Sequence, residues 1–267
     1  MADFNINHIT GKQGQQGTVL AGVTTVSSTG AMRIPSGPTE QRGGRGRGVM
    51  LNMTNPSATT VNNFITIATT GNAQDFGDQI LARYSKGSFA SATRGFDAGG
   101  TTPTVQSTIE YVTIPSKGGG SNFGDLTLAR AYCGGASNAT RGIVAGGGNP
   151  VVQNLIDYVT MATTGTASDF GELTLARTYL SGAGCQSSTR GLFAGGHPMT
   201  TNLIDFVLFS TGGAATDFGD LTLSRSGISA GSNATRGIFA GGSLQPANTG
   251  SNTIDYVTMA TTGDAID

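Results

Sequence analysis

The chain has 267 residues, only 12% of them charged, and its 15 basic residues nearly balance 16 acidic ones. The charged share is about half of the ~25% usual in globular proteins, and the even balance excludes a strong field for nucleic acid or for an anionic membrane surface. No stretch approaches about 18 consecutive apolar residues, so no segment is a candidate membrane-spanning helix. We expect no nucleic-acid partner and no insertion into a membrane.

The first ten residues, MADFNINHIT, contain no basic region followed by an apolar run, and we therefore expect no secretory signal. Residues 2–9 align with the repeated string SDFGELTL at 168–175. This match predicts that residues 2–9 form a strand that pairs with the last repeat, at 252–261, and closes a ring of repeats. A coincidental Asp-Phe pair is the alternative.

The segment 11–42 matches no repeat fully. Residues 19–26 and 31–34 are candidate strands, separated by a Ser-Ser-Thr-Gly turn. The segment is either the inner strand of the first repeat with a long insertion, or an arm that docks on a neighbour. We therefore divide the chain into an N-terminal segment, 1–42, and a repeat domain, 43–267. The short run GGRGRG at 43–48 looks like an RNA-binding tract, but it leads directly into a repeat strand and predicts a turn.

The rest of the chain consists of repeats. One 23-residue string recurs at 61–83, 108–130, 155–177 and 203–225, with a shortened copy at 253–267. A second element, of the form TRG-x-x-AGG, lies between these copies, and a degenerate version, GRGVMLNM, stands at 46–53. Its arginines are Arg47, Arg94, Arg141, Arg190 and Arg236, which gives steps of 47, 47, 49 and 46 residues. A period in this range indicates a propeller, a solenoid or another array.

The repeat also contains Asp169-Phe170-Gly171, the tripeptide that holds magnesium in protein kinases. A kinase additionally needs a glycine-rich loop, a lysine on a strand and a catalytic loop. The sequence has none of these, and a metal site has no reason to recur in four copies. The pattern argues against a kinase.

Each period divides at turn signals into four short strands. The first strand is a stretch of small residues, as at 178–188, and the second is an apolar run, as at 191–194. The third is an alternating strand, as at 154–162, and the fourth is the DFGELTLAR string, as at 169–177. Four antiparallel strands in about 45 residues describe one propeller blade. We predict an all-β fold, a propeller of five four-stranded antiparallel blades, with no helix longer than a turn or two.

This pattern resembles the kelch repeat over about residues 43–267. The resemblance rests on a glycine pair, an aromatic residue on the third strand and a second aromatic residue before a Leu-x-x-Arg-like ending. The glycine pairs are Gly99-Gly100, Gly146-Gly147, Gly195-Gly196 and Gly241-Gly242, the first aromatics are Phe64, Tyr111, Tyr158, Phe206 and Tyr256, and the second are Phe76, Phe123, Phe170 and Phe218. The chain departs from the family in having no tryptophan, and in having Asn52-Met53 in place of the first glycine pair.

The whole chain also resembles the kelch-like virion proteins of bacteriophages, particularly tail and fibre proteins of marine and cyanobacterial phages. The resemblance rests on PSGPTEQRGGRGRG at the end of the N-terminal segment together with the IDYVT(I/M)ATTG, DFGDLT and TRG-x-FAGG repeats. It implies a structural or host-recognising protein of the virion, made in the host cytoplasm and present in several copies. Its expected partners are other virion proteins and a host-surface polysaccharide.

Two other functions compete with this one, a propeller enzyme acting on host-surface glycans and a host-side kelch hub protein. A glycosidase needs two facing carboxyl groups, but the available acids are copies of one repeat position: Glu110, Asp157, Asp205 and Asp255. We expect these acids to be structural, each beside a repeated arginine such as Arg94, Arg141, Arg190 or Arg236. We expect no catalytic residues and no enzymatic activity.

The sequence contains no recognisable cofactor site. Cys133 and Cys185 occupy different offsets in their repeats, which predicts buried free thiols rather than a disulfide. His8 and His197 are isolated, and no histidine, cysteine and carboxylate cluster has metal-ligand spacing. No asymmetric polar cluster is apparent. We expect no metal, nucleotide or other cofactor.

The loops between second and third strands differ in every repeat, whereas the Thr-Thr-Gly turns hardly vary. These loops span 54–60, 101–107, 148–153, 197–201 and 243–251. Variable loops on a constant scaffold are suited to binding, and we expect them to share one end of the propeller with the residues that follow each Leu-x-Arg. The candidate binding residues for a sugar are Tyr132, Tyr179, Asn149, His197 and Gln245. Simple solvent exposure is the alternative for each.

Overall fold

The computed structural model describes residues 25–26, 32–33, 46–52, 57–148, 150–180, 185–198, 201–244 and 249–267. All regular elements in these ranges are β-strands, and no helix in them is long and apolar enough to cross a membrane. The chain divides into two compact units, residues 1–39 and residues 40–267. The fold is therefore all-β across the described residues, as the sequence predicts.

The first unit contains a short antiparallel hairpin. Strand β1 (Thr25–Val26) pairs with β2 (Met32–Arg33), with Thr25 opposite Arg33. The strands expected within 19–26 and 31–34 are confirmed at these positions. Residues 2–9, the expected closing strand, lie outside the described residues.

The second unit contains five main sheets, which we number in chain order. The first sheet comprises β3 (Arg47–Met50), β4 (Val61–Thr66) and β5 (Gln74–Asp78). The second sheet comprises β6 (Gly87–Ala90) and β7 (Arg94–Ala98), then, after the loop hairpin β8 (Thr101–Thr102) and β9 (Thr104–Val105), β10 (Thr108–Thr113) and β11 (Ser121–Asp125). The third sheet comprises β12 (Gly134–Ser137), β13 (Arg141–Ala145), β14 (Leu155–Thr160) and β15 (Ser168–Glu172).

The last two sheets continue the same order. The fourth sheet comprises β16 (Arg190–Ala194), β17 (Leu203–Leu208) and β18 (Thr216–Asp220). The remaining strands are β19 (Arg225–Ser226), β20 (Ser229–Ser232), β21 (Arg236–Ala240), β22 (Ser243–Leu244), β23 (Thr249–Gly250) and β24 (Ile254–Thr258). Of these, β20, β21 and β24 form the fifth sheet, and β19, β22 and β23 form a small sheet of their own. Each main sheet is antiparallel and in phase with the sequence repeat. Four strands are predicted for each, but among the described residues only the second and third sheets have four, and the other three sheets have three.

The predicted fourth strand is shorter than the sequence pattern suggests. The pattern extends it through Arg177, but β15 ends at Glu172 and the chain then leaves the sheet. The departure follows a β-bulge opposite Ile156 and Asp157. Beyond it, the backbone N–H and hydroxyl of Thr174 both donate to the carboxylate of Asp205 on the fourth sheet, at 3.2 and 2.7 Å. The Leu-x-Arg segment is thus a connection to the next sheet rather than the end of a strand.

Successive sheets pack on each other through apolar layers, and this is where the core lies. The layer between the third and fourth sheets, for example, joins Ile156 and Phe170 to Phe193, Val207 and Phe209. Equivalent layers join the first sheet to the second, the second to the third and the fourth to the fifth. Several antiparallel sheets stacked face to face in this way are compatible with a β-propeller.

The Asp-Phe-Gly string is a packing device of these layers. The Asp169 carboxylate accepts a hydrogen bond from the Gly171 N–H at 3.0 Å, and Phe170 is buried with its ring edge-on to Tyr158 at 5.8 Å. Gly171 has φ 145°, and a Cβ there would overlap the backbone carbonyl of Gly213 on the next sheet. Glycine is needed because two backbones approach closely at this point.

The arginines of the TRG element also link neighbouring sheets. The Arg141 guanidinium lies over the ring of Tyr158 at 5.2 Å and donates to the carbonyl of Phe209 on the next sheet. Arg94 lies in the same way 4.6 Å from the Tyr111 ring and donates to the Met161 carbonyl at 2.8 Å. A cation over an aromatic ring that also binds a carbonyl stabilises both the sheet and its contact with the next sheet.

Candidate functional site

The repeated acids form buried ion pairs with arginines of the preceding repeat. Asp205 lies 2.6 Å from Arg177, and Asp157 lies 3.0 Å from Arg130, with all four side chains at most 1% exposed. The remaining two pairs, Arg83 with Glu110 and Arg225 with Asp255, are 3.5 and 2.6 Å apart. All four acids are therefore held by buried arginines.

The expected arginine partners were wrong. We expected Arg94, Arg141, Arg190 or Arg236 beside these acids, but these arginines stack on the third-strand aromatics instead. The true partners end the Leu-x-Arg segment, which crosses to the next sheet and therefore delivers its guanidinium there. Arg177 also donates to the carbonyls of Gly195 and Leu203, at 2.7 and 2.9 Å.

The residue two positions after each of these arginines has a left-handed backbone. These residues are Ser85, Tyr132, Tyr179 and Gly227, with φ of 58°, 61°, 52° and 63°. Their backbones are linked in series, because the N–H of Tyr132 donates to the carbonyl of Ser85 at 2.6 Å, and that of Tyr179 donates to Tyr132 at 3.0 Å. The series continues from Gly227 to Tyr179 at 2.9 Å. Positive φ is unusual for tyrosine, and the hydrogen bonds of this series stabilise that backbone conformation at Tyr132 and Tyr179.

Two of these four positions carry tyrosines whose rings meet. The ring centroids of Tyr132 and Tyr179 are 4.2 Å apart with a 34° interplanar angle, and the imidazole of His197 stands edge-on to Tyr179 at 6.3 Å. His197 is placed by an antiparallel bridge to Thr178, in which each backbone N–H donates to the other carbonyl at 2.8 Å. Three of the five candidate residues therefore form one cluster, which we call the aromatic cluster: Tyr132, Tyr179 and His197.

The aromatic cluster is accessible to solvent. Tyr179 is 43% exposed, His197 is exposed, and Tyr132 is half-buried. Burial and the neighbouring hydroxyl of Tyr132 raise the pKa of Tyr179 to about 12, so its hydroxyl stays neutral at physiological pH. The cluster thus offers aromatic faces together with hydroxyl and imidazole groups that donate and accept hydrogen bonds.

The variable loops begin beside the residues that end or follow the Leu-x-Arg segments, at the expected end of the sheets. Tyr84 bridges Thr101, Ala131 bridges Gly148, and Arg225 pairs with Leu244, so each Leu-x-Arg segment contacts the following variable loop. The candidates Asn149 and Gln245 lie outside the described residues. The sugar-binding role of all five candidates stays a prediction.

Sequence reasoning missed an asymmetric polar cluster between the first and second sheets. The Lys86 ammonium donates to the Asp97 carboxylate and to the Leu51 carbonyl, both at 2.8 Å, and to the Asn52 side chain at 3.2 Å. Burial lowers the pKa of Lys86, against the opposing effect of Asp97. A repeat alignment contains the signal, because the third, fourth and fifth sheets have apolar residues where Lys86 and Asp97 stand.

The arrangement explains the unusual residue of the first repeat. Asn52 replaces the first glycine of the pair and keeps a left-handed backbone with φ 48°. Its side-chain oxygen accepts a hydrogen bond from the Lys86 ammonium. Every donor position of Lys86 has a partner, which indicates a structural link between sheets. The sequence-based premise that no asymmetric polar cluster exists was nevertheless wrong.

The described residues contain no group of three or more histidine, cysteine or acidic side chains placed to hold a metal ion. Cys133 and Cys185 are buried free thiols, as predicted. An open hollow of about 350 Å³, lined by Thr93, Arg94 and Met161 among others, lies at the opposite end of the sheets from the aromatic cluster. Its arginine is already engaged by the Met161 carbonyl.

None of the protein-family models matches this chain, and no curated protein matches it either.

Proposed function

We propose that the five sheets are the blades of a five-bladed kelch-like propeller, and that the protein is a non-enzymatic structural protein of a bacteriophage virion, associated with the tail or a fibre. In this proposal the propeller is a rigid platform that binds a host-surface polysaccharide through the aromatic cluster. The phage assignment rests on the resemblance of the repeats and of the segment that precedes them. The five phased sheets, with the apolar layers between them, support the propeller.

The observation that carries the binding role is the contact between Tyr132 and Tyr179. Their rings come from connections 47 residues apart and meet at 4.2 Å on an accessible surface. A pyranose presents an apolar ring face and a rim of hydroxyls, so it suits a site with aromatic faces and a few polar groups. Both tyrosines have a left-handed backbone, and the equivalent positions of the other repeats hold serine and glycine. The fold therefore needs no aromatic ring at these positions, which favours a binding role for the two rings.

Glycan hydrolysis, the competing function, is less well supported. It needs two carboxyl groups that reach the substrate on either side of the scissile bond. The repeated acids are fully buried and bound to arginine and threonine, as Asp205 is to Arg177 and Thr174. The aromatic cluster itself has no acidic member. Binding without turnover is the function that its chemistry supports best.

A glycan array followed by titration with the polysaccharide that binds tests this function. The Tyr132→Ser/Tyr179→Ser variant keeps the residue type that Ser85 shows to be compatible with the left-handed backbone. We expect its affinity to fall at least tenfold, about 1.4 kcal/mol, with an unchanged melting temperature. Tyr84→Ser is the matched control, because Tyr84 is as exposed as Tyr179, at 43%, but lies outside the cluster.

Equal binding by wild type and the double serine variant would contradict the binding site. Release of reducing ends from the bound polysaccharide would favour the enzyme instead. Labelling intact particles with an antibody to this protein tests the virion assignment separately, since a host-side protein would be absent from purified particles.

A further inference from the structure

The interfaces between successive sheets, which we call seams, follow one repeating rule. In the last three of the four seams, one sheet contributes an aliphatic or aromatic residue of its second strand and an isoleucine of its third, as in Ile143 and Ile156. In the first seam, Val49 and the buried Asn62 hold these two repeat positions. The next sheet contributes a valine and the residue two positions later, as in Val207 and Phe209. A TRG arginine then donates to the carbonyl of that last residue. The same repeat positions therefore make the same contact each time.

The first sheet exposes the residues that, in the other sheets, pack against the preceding sheet. Ile67 is 69% exposed, whereas the residues at its repeat position are at most 8% exposed: Ile114, Met161, Phe209 and Met259. Ile65 is 40% exposed, against at most 5% for its equivalents: Val112, Val159, Val207 and Val257. Met50 of the same sheet is also exposed. These side chains form an apolar face without a partner among the described residues.

The fifth sheet exposes the residues that, in the other sheets, pack against the following sheet. Ile254 is 56% exposed, although its equivalents are fully buried: Ile109, Ile156 and Ile204. Ile238 is 42% exposed, against at most 2% for Phe96, Ile143 and Leu192. Arg236 lies over the ring of Tyr256 at 4.5 Å, like every other TRG arginine. Within the described ranges, however, its guanidinium reaches no carbonyl acceptor.

We propose that these two faces meet within one chain and form a fifth seam, in which Ile238 and Ile254 pack against Met50, Ile65 and Ile67. Arg236 then donates to the carbonyl of Ile67, the position that the other TRG arginines bind on the following sheet. This inference rests on the proposed five-bladed arrangement, and the occupant of each face follows from the four seams already formed.

The fifth seam differs from the others in lacking the buried ion pair. The repeat position of Glu110, Asp157, Asp205 and Asp255 is Asn63 in the first sheet, and Asn63 is only half-buried. An asparagine needs no guanidinium partner, so this seam relies on apolar contact and on Arg236. It is consequently the seam at which the ring opens most readily.

A cysteine pair tests the contact. In the seam between the fourth and fifth sheets, a Cβ built at Gly237 lies 2.6 Å from the sulfur of Cys185. The equivalent positions in the fifth seam are Gly48 and Gly231, and a Cβ at Gly231 meets nothing within 4 Å. Gly48→Cys/Gly231→Cys should form an intramolecular disulfide on mild oxidation, since close Cβ atoms permit one. The single variant Gly237→Cys, which pairs with the native Cys185, is the positive control.

Mass spectrometry and non-reducing gels report the result. A monomer that has lost two hydrogens and exposes no more thiols than wild type after denaturation supports the seam. A disulfide-linked dimer would show that the faces join different copies, and an unreacted pair beside a cross-linked control would show that they do not meet. Either outcome overturns the proposal, and saccharide binding by the same variants is read separately.

A second measurement does not depend on cross-linking. Ile67→Asp should lower the melting temperature clearly, because it places a carboxylate in an apolar seam. Leu223→Asp is the control, since Leu223 is 43% exposed and its repeat equivalent Leu128 is 42% exposed, outside every seam. Equal melting temperatures for the two variants would mean that Ile67 stays in solvent.

Discussion

Replacing Asp205 with asparagine tests whether the repeated acid is a structural link. Asp205 is fully buried and accepts three hydrogen bonds, from the Arg177 guanidinium at 2.6 Å and from the hydroxyl and N–H of Thr174 at 2.7 and 3.2 Å. Asparagine has nearly the same shape but no charge, so the Arg177 guanidinium is left buried without its counter-ion. Breaking such a pair from one side costs about 3–5 kcal/mol.

The expected loss can be measured by thermal and urea unfolding followed by circular dichroism. At roughly 2–4 °C per kcal/mol for a domain of this size, the melting temperature of Asp205→Asn should fall by about 6–20 °C. Asp169→Asn is the control, because Asp169 is exposed and its amide can still accept the Gly171 N–H. Its free energy of unfolding should stay within about 0.5 kcal/mol of wild type.

The partner residue, Arg177, provides a second test of the same ion pair. Arg177→Met should cost more than Asp205→Asn, because it also leaves the carbonyls of Gly195 and Leu203 without their donor. The double variant should cost less than the sum of the two single variants, since each loses the same ion pair. A small effect of Asp205→Asn, equal to that of the exposed control, would refute the assignment of the acids as structural links.

Three further predictions concern stability and thiol chemistry. Gly171→Ala should lower the free energy of unfolding by more than the ~1–3 kcal/mol that backbone strain alone costs, because the added Cβ overlaps the next sheet. Gly165→Ala is the control: Gly165 has φ 156° with open space around it, so this variant should show only the backbone strain. Similar urea midpoints for the two variants would contradict this. Arg141→Lys should lower the free energy of unfolding by about 1–3 kcal/mol, measured in the same assay, and no change would mean that the carbonyl contact is dispensable. Burial raises the pKa of Cys133 from 9.0 to about 11 and that of Cys185 to about 12, so native thiols should label slowly at pH 8 and rapidly after denaturation. Since the folded pKa values exceed the unfolded ones, this stabilisation is complete below pH 9 and is lost as pH rises through 11 and 12; stability that rises over that interval would refute the assignment.

Much of the local structure is predictable because it depends on short-range chemistry. The alternation of residues 154–162 predicts a strand with one buried side, and β14 occupies Leu155–Thr160. The repeat predicts that Phe170 is buried, since an aromatic residue that recurs in all four complete copies must pack in the same place each time. Turn glycines mark where strands end, because few other residues tolerate their backbone conformations.

The sequence by itself therefore determined the period, the all-β elements and the separation of constant strands from variable loops. Only the tertiary structure decided which arginine meets Asp205, since the Leu-x-Arg segment leaves its own sheet and crosses to the next. The contact between Tyr132 and Tyr179 likewise depends on two successive connections lying side by side. Ile67 and Met161 occupy the same repeat position, yet one is 69% exposed and the other 2%. A local pattern cannot distinguish them, because burial depends on whether a neighbouring sheet covers the face.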